Sequence, residues 1–160
     1  MRALVVSDSH GDRYDLRRLI ARGAERGVKI DAFLHCGDGA GDIGAVEAEL
    51  LGHNPDMLIA AVRGNCDFLG GWPAEQVLTL GGLRILMTHG HHYAVKSSLT
   101  LLNDAARSQD CAIALFGHTH EPCMEMRSAL LLNPGAAADG RMLILDINSG
   151  KPRVEMVRLD

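Results

Sequence analysis

The N-terminal part of the chain repeats one pattern: a short apolar run, a polar loop with glycine, then apolar residues at helical spacing. Ala3–Val6 is apolar throughout, as in a strand buried on both faces. After Gly11, Asp12 is placed to cap a helix carrying Leu16, Leu19, Ile20 and Ala24 on one side, with arginines between them. Ala32–Leu34 opens a second strand, Ile43, Val46 and Leu50 mark a second helix, and Met57–Val62 reads as a third strand.

The pattern then changes. Gln76–Leu80 and Leu83–Met87, separated by Gly81-Gly82, predict a hairpin with a two-residue turn. Val95, Leu99, Leu102 and Ala106 predict a third helix, and Cys111–Phe116 a further strand. Short strands are expected around Cys123–Arg127, Leu130–Leu132, Met142–Ile147 and Val154–Leu159, punctuated by NPG, ADG and NSGKP turns. With no internal repeat or linker, the expectation is one α/β domain over residues 1–160, with two packed sheets and outer helices. Strand order does not follow from the pattern.

Composition narrows the function. Aromatics are 4% of the chain, so aliphatic residues must fill the core. A net charge of −4 argues against a basic face for nonspecific nucleic-acid binding. No apolar stretch approaches the ~20 residues of a membrane helix, and no signal peptide is visible. The four cysteines form no CxxC pair, which fits reduced thiols and a cytoplasmic setting. A homo-oligomer remains open.

The chemistry lies just past the apolar runs. Asp8-Ser9-His10 follows the first strand, Gly37-Asp38 the second and Gly64-Asn65-Cys66-Asp67 the third. Thr88-His89-Gly90-His91 follows the hairpin, and Gly117-His118-Thr119-His120 the strand after it. In α/β sheets, loops at the C-terminal ends of strands converge on ligands. Five loops rich in carboxylate, imidazole and amide groups therefore predict a shared dinuclear metal centre. Mixed Asp, His and Asn donors suit transition metals such as Mn, Fe, Zn or Ni better than an all-oxygen magnesium or calcium cage. Each motif alone reads as readily as a turn or a cap. Their joint occurrence carries the inference.

The ordered motifs D-x-H, GD, GN-C-D, a histidine loop and GHTH resemble the calcineurin-like metallophosphoesterase superfamily, from Asp8 to His120. The short length and the RGNCD and THGH forms look most like its small YfcE-type phosphodiesterases. The resemblance implies a four-layer αββα sandwich with two mixed β-sheets. It assigns Asp8, His10 and His120 to one metal, Asn65, His89 and His118 to the other, and Asp38 to both. It implies that His91 lines the site, as a supporting or a substrate contact; His91, Asn65, Cys66 and Arg63 are expected to face the substrate, with Asp38, His91 and Asn65 in the catalytic set. Two divalent cations are expected, manganese first, with Ni, Fe, Zn or Co as alternatives. They would share a hydroxide that attacks a small phosphate ester.

Cys66 stands where many phosphomonoesterases of the superfamily carry a histidine that protonates the leaving group. A thiol is a poor substitute, so the expectation is a phosphodiesterase weak on monoesters, with Asp67 left as a structural residue. Formal charge agrees: two cations, two aspartates, a hydroxide and a monoanionic diester sum to zero. Two alternatives stand beside this reading. One is a non-catalytic scaffold like the superfamily's retromer relative, against which the presence of Asp38 and Asn65 speaks. The other is a nucleotide or dinucleoside polyphosphate hydrolase, whose members usually carry GNH. His35 reads as a core or supporting histidine, His53 as a loop residue, His92 as a weaker candidate for proton transfer, and Asn133 as a turn residue that could support the site.

Overall fold

The computed structural model describes residues 1–25, 27–68 and 70–160. In chain order these form β1 (Arg2–Val6), α1 (Arg13–Ala24), β2 (Ala32–His35), α2 (Ile43–His53), β3 (Leu58–Ala61), β4 (Glu75–Leu80) and β5 (Leu83–Thr88). Then come α3 (Thr100–Ser108), β6 (Ile113–Leu115), β7 (Cys123–Met126), β8 (Leu130–Asn133), β9 (Arg141–Asn148) and β10 (Lys151–Arg158).

The strands make two five-stranded mixed sheets, ordered β10-β9-β1-β2-β3 and β4-β5-β6-β8-β7. Each contains a parallel triplet: β1, β2 and β3 in one sheet, β5, β6 and β8 in the other. Antiparallel strands flank them, β9 beside β1, β4 beside β5 and β7 beside β8. The carboxyl ends of each triplet's parallel strands therefore emerge on one side of their sheet.

Three clusters of buried side chains define four layers. The sheets face each other across one cluster, to which Val5, Leu34 and Val62 contribute from the first sheet and Ile85, Met87, Leu115 and Leu132 from the second. Alternate residues of the same strands point outward. Leu4, Val6 and Phe33 pack under Leu16, Leu19 and Ile20 of α1 and Val46 and Leu50 of α2. On the far side, Leu86, Ala114 and Leu131 pack under Leu102 and Ala106 of α3. This two-faced burial is why the strands read as continuous apolar runs rather than alternating ones. Each large aliphatic side chain so buried contributes about 1.5–3 kcal/mol.

The expected elements are found with adjusted limits. Asp12 caps α1, its Oδ1 accepting the Asp15 N–H at 3.0 Å. Gly81 and Gly82 both take positive φ in the tight turn between β4 and β5, as such a hairpin requires. α2 runs on through His53, which is therefore a helical residue, exposed, rather than part of a loop. The third helix begins only at Thr100, so Val95 and Leu99 precede it. Ala94, at φ 50°, is left-handed, and the N–H groups of Ser97 and Ser98 turn back on its carbonyl. Successive turns thus place Val95 and Leu99 on the same apolar cluster as α3, reproducing helical spacing without a helix.

Candidate metal centre

The loops leaving β1, β2, β3, β5 and β6 bring their donors together. The ligand atoms of Asp8, His10 and His120 lie within 4.8 Å of one another, and so do those of Asp38, His89 and His118. Asn65 joins the second group, its Oδ1 3.1 Å from His89 Nε2. Asp38 Oδ2 lies 3.3 Å from that same nitrogen. Asp8 Oδ1 connects the groups, 3.2 Å from His120 Nε2, 3.8 Å from His10 Nε2 and 3.9 Å from His89 Nε2. All seven residues assigned to metal therefore sit in one cluster.

The backbone there is unusual. Among the described residues, Asp8, His10, Asp38, His118 and His120 all take left-handed φ between 47° and 68°, a region non-glycine residues rarely adopt. Each such residue costs about 1–3 kcal/mol, and a fold tolerates several together only where its surroundings hold them. The holding groups are visible. Asp67 accepts the N–H groups of Asp38 (2.8 Å), Gly64 (2.8 Å) and Gly39 (2.9 Å), tying the β2 loop to the β3 loop. Asn133, at the end of β8, donates to Gly117 O (2.9 Å) and Thr119 Oγ1 (3.0 Å) and accepts the Gly135 N–H (2.8 Å). Asp8 Oδ2 accepts the His118 N–H at 3.0 Å, joining the β1 and β6 loops.

A buried chain supports the other side. His35 Nδ1 accepts the Gly37 N–H, so its Nε2–H faces Ser9 Oγ at 3.0 Å, and Ser9 in turn donates to Asp42 Oδ2 at 2.7 Å. Burial lowers the His35 pKa to about 4, outweighing nearby carboxylates, so the ring stays neutral in this chain. Asp67 has the structural part expected of it, whereas Ser9 and Asp42 carry supporting roles that the spacing did not reveal. Their only signal was position, beside or just after a ligand motif.

The donor chemistry fits a cation. His89 Nδ1 donates to Cys36 O at 2.8 Å, which leaves Nε2 as the lone-pair nitrogen of a neutral ring. That lone pair faces oxygens of Asn65, Asp38 and Asp8, all acceptors. With no cation between them, these acceptors favour a proton on Nε2 instead: burial opposes the charge, but a hydrogen bond to Asp38 and the two aspartate charges prevail and raise the His89 pKa, so a proton and a cation compete for the same place. Asp8 Oδ1 is fully buried and forms no hydrogen bond, although three imidazoles surround it. Divalent cations would satisfy these opposed acceptors together, so the residues present fit a metal pair.

The expected substrate-facing residues are placed differently. His91 lines the second group, its ring 5.4 Å from that of His89 and 6.1 Å from that of His118. Its Nδ1 is buried without a partner, and its ring stacks on His92 at 3.9 Å. Burial, then the neighbouring imidazoles, lowers the His91 pKa. Cys66 is exposed beside Asp38, whose Oδ1 accepts its N–H at 2.7 Å, and the hydrogen bond to that carboxylate holds the thiol pKa up. Arg63 is exposed after β3 and makes no side-chain hydrogen bond or ion pair among the described residues. The geometry thus gathers His91, Cys66 and Asn65 around the donor groups, while the Arg63 side chain is exposed to solvent.

Residues 1–150 match the model of the calcineurin-like phosphoesterase superfamily domain. The chain belongs to that superfamily. The probable metallophosphoesterase YsnB of Bacillus subtilis is 36% identical over 140 residues, spanning 85% of this chain and 75% of its own. A conserved Streptococcus pneumoniae protein described as a predicted phosphoesterase superposes with a TM-score of 0.76 at 29% identity, covering 98% of this chain and 88% of that one. The structure of an archaeal phosphodiesterase superposes at 0.75 with 23% identity, over 98% of this chain and 100% of that one. At that identity it shows the fold alone. In this calcineurin-like domain, no described helix is long and apolar enough to cross a membrane.

Proposed function

We propose that this chain is a metal-dependent phosphodiesterase acting on a small phosphate ester. The observation that carries this reading is Asp8 Oδ1, a buried carboxylate oxygen without a hydrogen bond inside a ring of imidazoles. Asp8, His10 and His120 would hold one divalent cation and Asn65, His89 and His118 the other. Asp38, which belongs to more than one donor group, would serve both. Bound there, the cations would supply Lewis acidity, generating hydroxide from water near neutral pH and screening phosphoryl charge. Manganese is the first choice, with nickel, cobalt, iron and zinc as alternatives.

The chain's own residues set the specificity. Two divalent cations carry four positive charges, and Asp8 and Asp38 return two negative ones. Asp67 faces backbone amides instead, so it does not hold a cation. A hydroxide and a monoanionic diester neutralise that balance, whereas a dianionic monoester overshoots it. His91 sits beside the second group, its ring 5.4 Å from that of His89, and would orient a phosphoryl oxygen together with Asn65, whose Oδ1 lies 3.1 Å from His89 Nε2. No imidazole stands at position 66 to protonate a leaving alkoxide, so esters with stable leaving groups react fastest. Four free cysteines fit a reducing cytoplasmic setting. A scaffold would have no need of strained backbone at five ligand positions, which argues for catalysis.

The test is a substrate panel with protein stripped by chelator and reloaded with each metal separately. Aryl phosphodiesters should turn over much faster than alkyl phosphomonoesters with manganese or nickel. His118→Ala should abolish turnover and leave the far-ultraviolet circular dichroism unchanged. A preference for the alkyl monoester, or wild-type turnover in His118→Ala, would overturn the proposal.

A further inference from the structure

A third set of donors converges on the outer side of the centre. The ligand atoms of His10, Asp38 and Cys66 lie within 4.8 Å of one another. They line an open cleft of about 420 Å³, together with Arg13 and Asp42, so a solvated ion reaches them without any loop moving. The Cys66 backbone is fixed, because its N–H is bonded to Asp38 Oδ1 at 2.7 Å. The Asn65 amide donates to its sulfur at 3.4 Å, which treats that sulfur as a lone-pair donor and turns Asn65 Oδ1 toward His89. His10 is shared with the first donor group, whose buried and unpartnered Asp8 Oδ1 lies 3.8 Å from its Nε2.

We propose that Cys66 is a metal ligand: with His10 and Asp38 it forms a third cation position, on the cleft side, that takes thiophilic divalent ions such as cobalt, zinc and cadmium. Sulfur selects soft ions over manganese, which prefers oxygen donors. On binding, the Cys66 S–H bond breaks, its proton passes to solvent, and the thiolate sulfur bonds the cation. An ion held this way recruits His10 and Asp38 away from the metal pair, so thiophilic ions in excess inhibit an enzyme that manganese activates. The position rests on the reading of His10 and Asp38 as ligands. It adds that a residue standing where relatives carry a histidine is itself a donor here.

The experiment is cobalt titration of the full chain, stripped by chelator and kept reduced, followed by absorption in the near ultraviolet and by proton release. The wild type should develop a thiolate-to-cobalt charge-transfer band and release an extra proton. Cys66→Ser and Cys66→Ala should lose both. Cys123→Ser, which removes the other thiol with solvent access, should retain both; Cys36 and Cys111 are buried. Cobalt binding by the wild type without the band, or a band that survives in Cys66→Ser, overturns the third position and leaves the metal pair standing. Failure to bind cobalt overturns the third position, and failure to bind manganese as well overturns the metal pair.

Discussion

Asp67 allows the geometry of the centre to be tested without removing a ligand. Its carboxylate gathers three backbone N–H groups, from Asp38, Gly39 and Gly64, at 2.8 to 2.9 Å. Asp67→Ala removes both carboxylate oxygens and with them all three hydrogen bonds. A hydrogen bond to a charged group is worth roughly 1.5–3 kcal/mol. Asp67 is half-exposed and water takes over part of its role, so the expected loss is about 2–4 kcal/mol rather than the full sum. A domain of ordinary stability, about 5–15 kcal/mol, remains folded after that loss. The functional consequence is larger, because the left-handed Asp38 is no longer pinned between its two loops. Losing such an outer support typically weakens metal affinity about 10–100-fold. Urea unfolding gives the first quantity and calorimetric titration with manganese the second. Asp67→Asn, which keeps one acceptor oxygen, should fall between alanine and wild type in both. Unchanged unfolding and unchanged manganese affinity in Asp67→Ala would refute the claim that this carboxylate sets the ligand loops.

Two other perturbations probe different levels. At Gly117 an added Cβ would stand 1.8 Å from Ser7 Oγ and 2.7 Å from Asp8 Oδ2, so Gly117→Ala should destabilise by about 1–3 kcal/mol and abolish metal binding at the Asp8 side, measured by thermal melts with and without manganese. Far from the centre, Arg2 donates to Asp146 through Nε and a terminal nitrogen, both at 2.8 Å, and this bond holds the Asp146 pKa below its ordinary value. Its stabilisation is fully present above the unfolded carboxylate pKa of about 3.9 and fades as pH falls through the lower folded value. Asp146→Asn should therefore cost about 1–2 kcal/mol at neutral pH and almost nothing in strong acid, as read by urea unfolding across pH.

Much of this molecule could be read from the chain alone. The strands were legible because both faces of each sheet are covered, which makes Ala3–Val6 or Ala32–Leu34 apolar at every position. The ligand loops were legible because their donors sit beside glycine directly after such runs. Strand order was not, since the pairing of β1 with β9 and of β6 with β8 depends on contacts distant in sequence. The start of α3 was misplaced because turns at Ala94 copy the spacing of a helix. Nor could residue types announce that Asp8, His10, Asp38, His118 and His120 are left-handed, or that Ser9 and Asp42 help to hold them; Asp67, Asn133 and His35 were readable as structural or supporting residues, but not which loops they tie together. Those properties arise from loops meeting in space. The likeness to the superfamily supplied the expected ligand assignments, and the fold supplies the reason those side chains stay together.

On this reading, the tips of parallel strands from two sheets grip a pair of divalent cations. Anomalous diffraction from crystals grown with manganese tests it most directly. Two strong peaks are expected, one among Asp8, His10 and His120 and one among Asn65, His89 and His118, with Asp38 touching both. A single peak elsewhere on the surface, or no peak at saturating manganese, would contradict it.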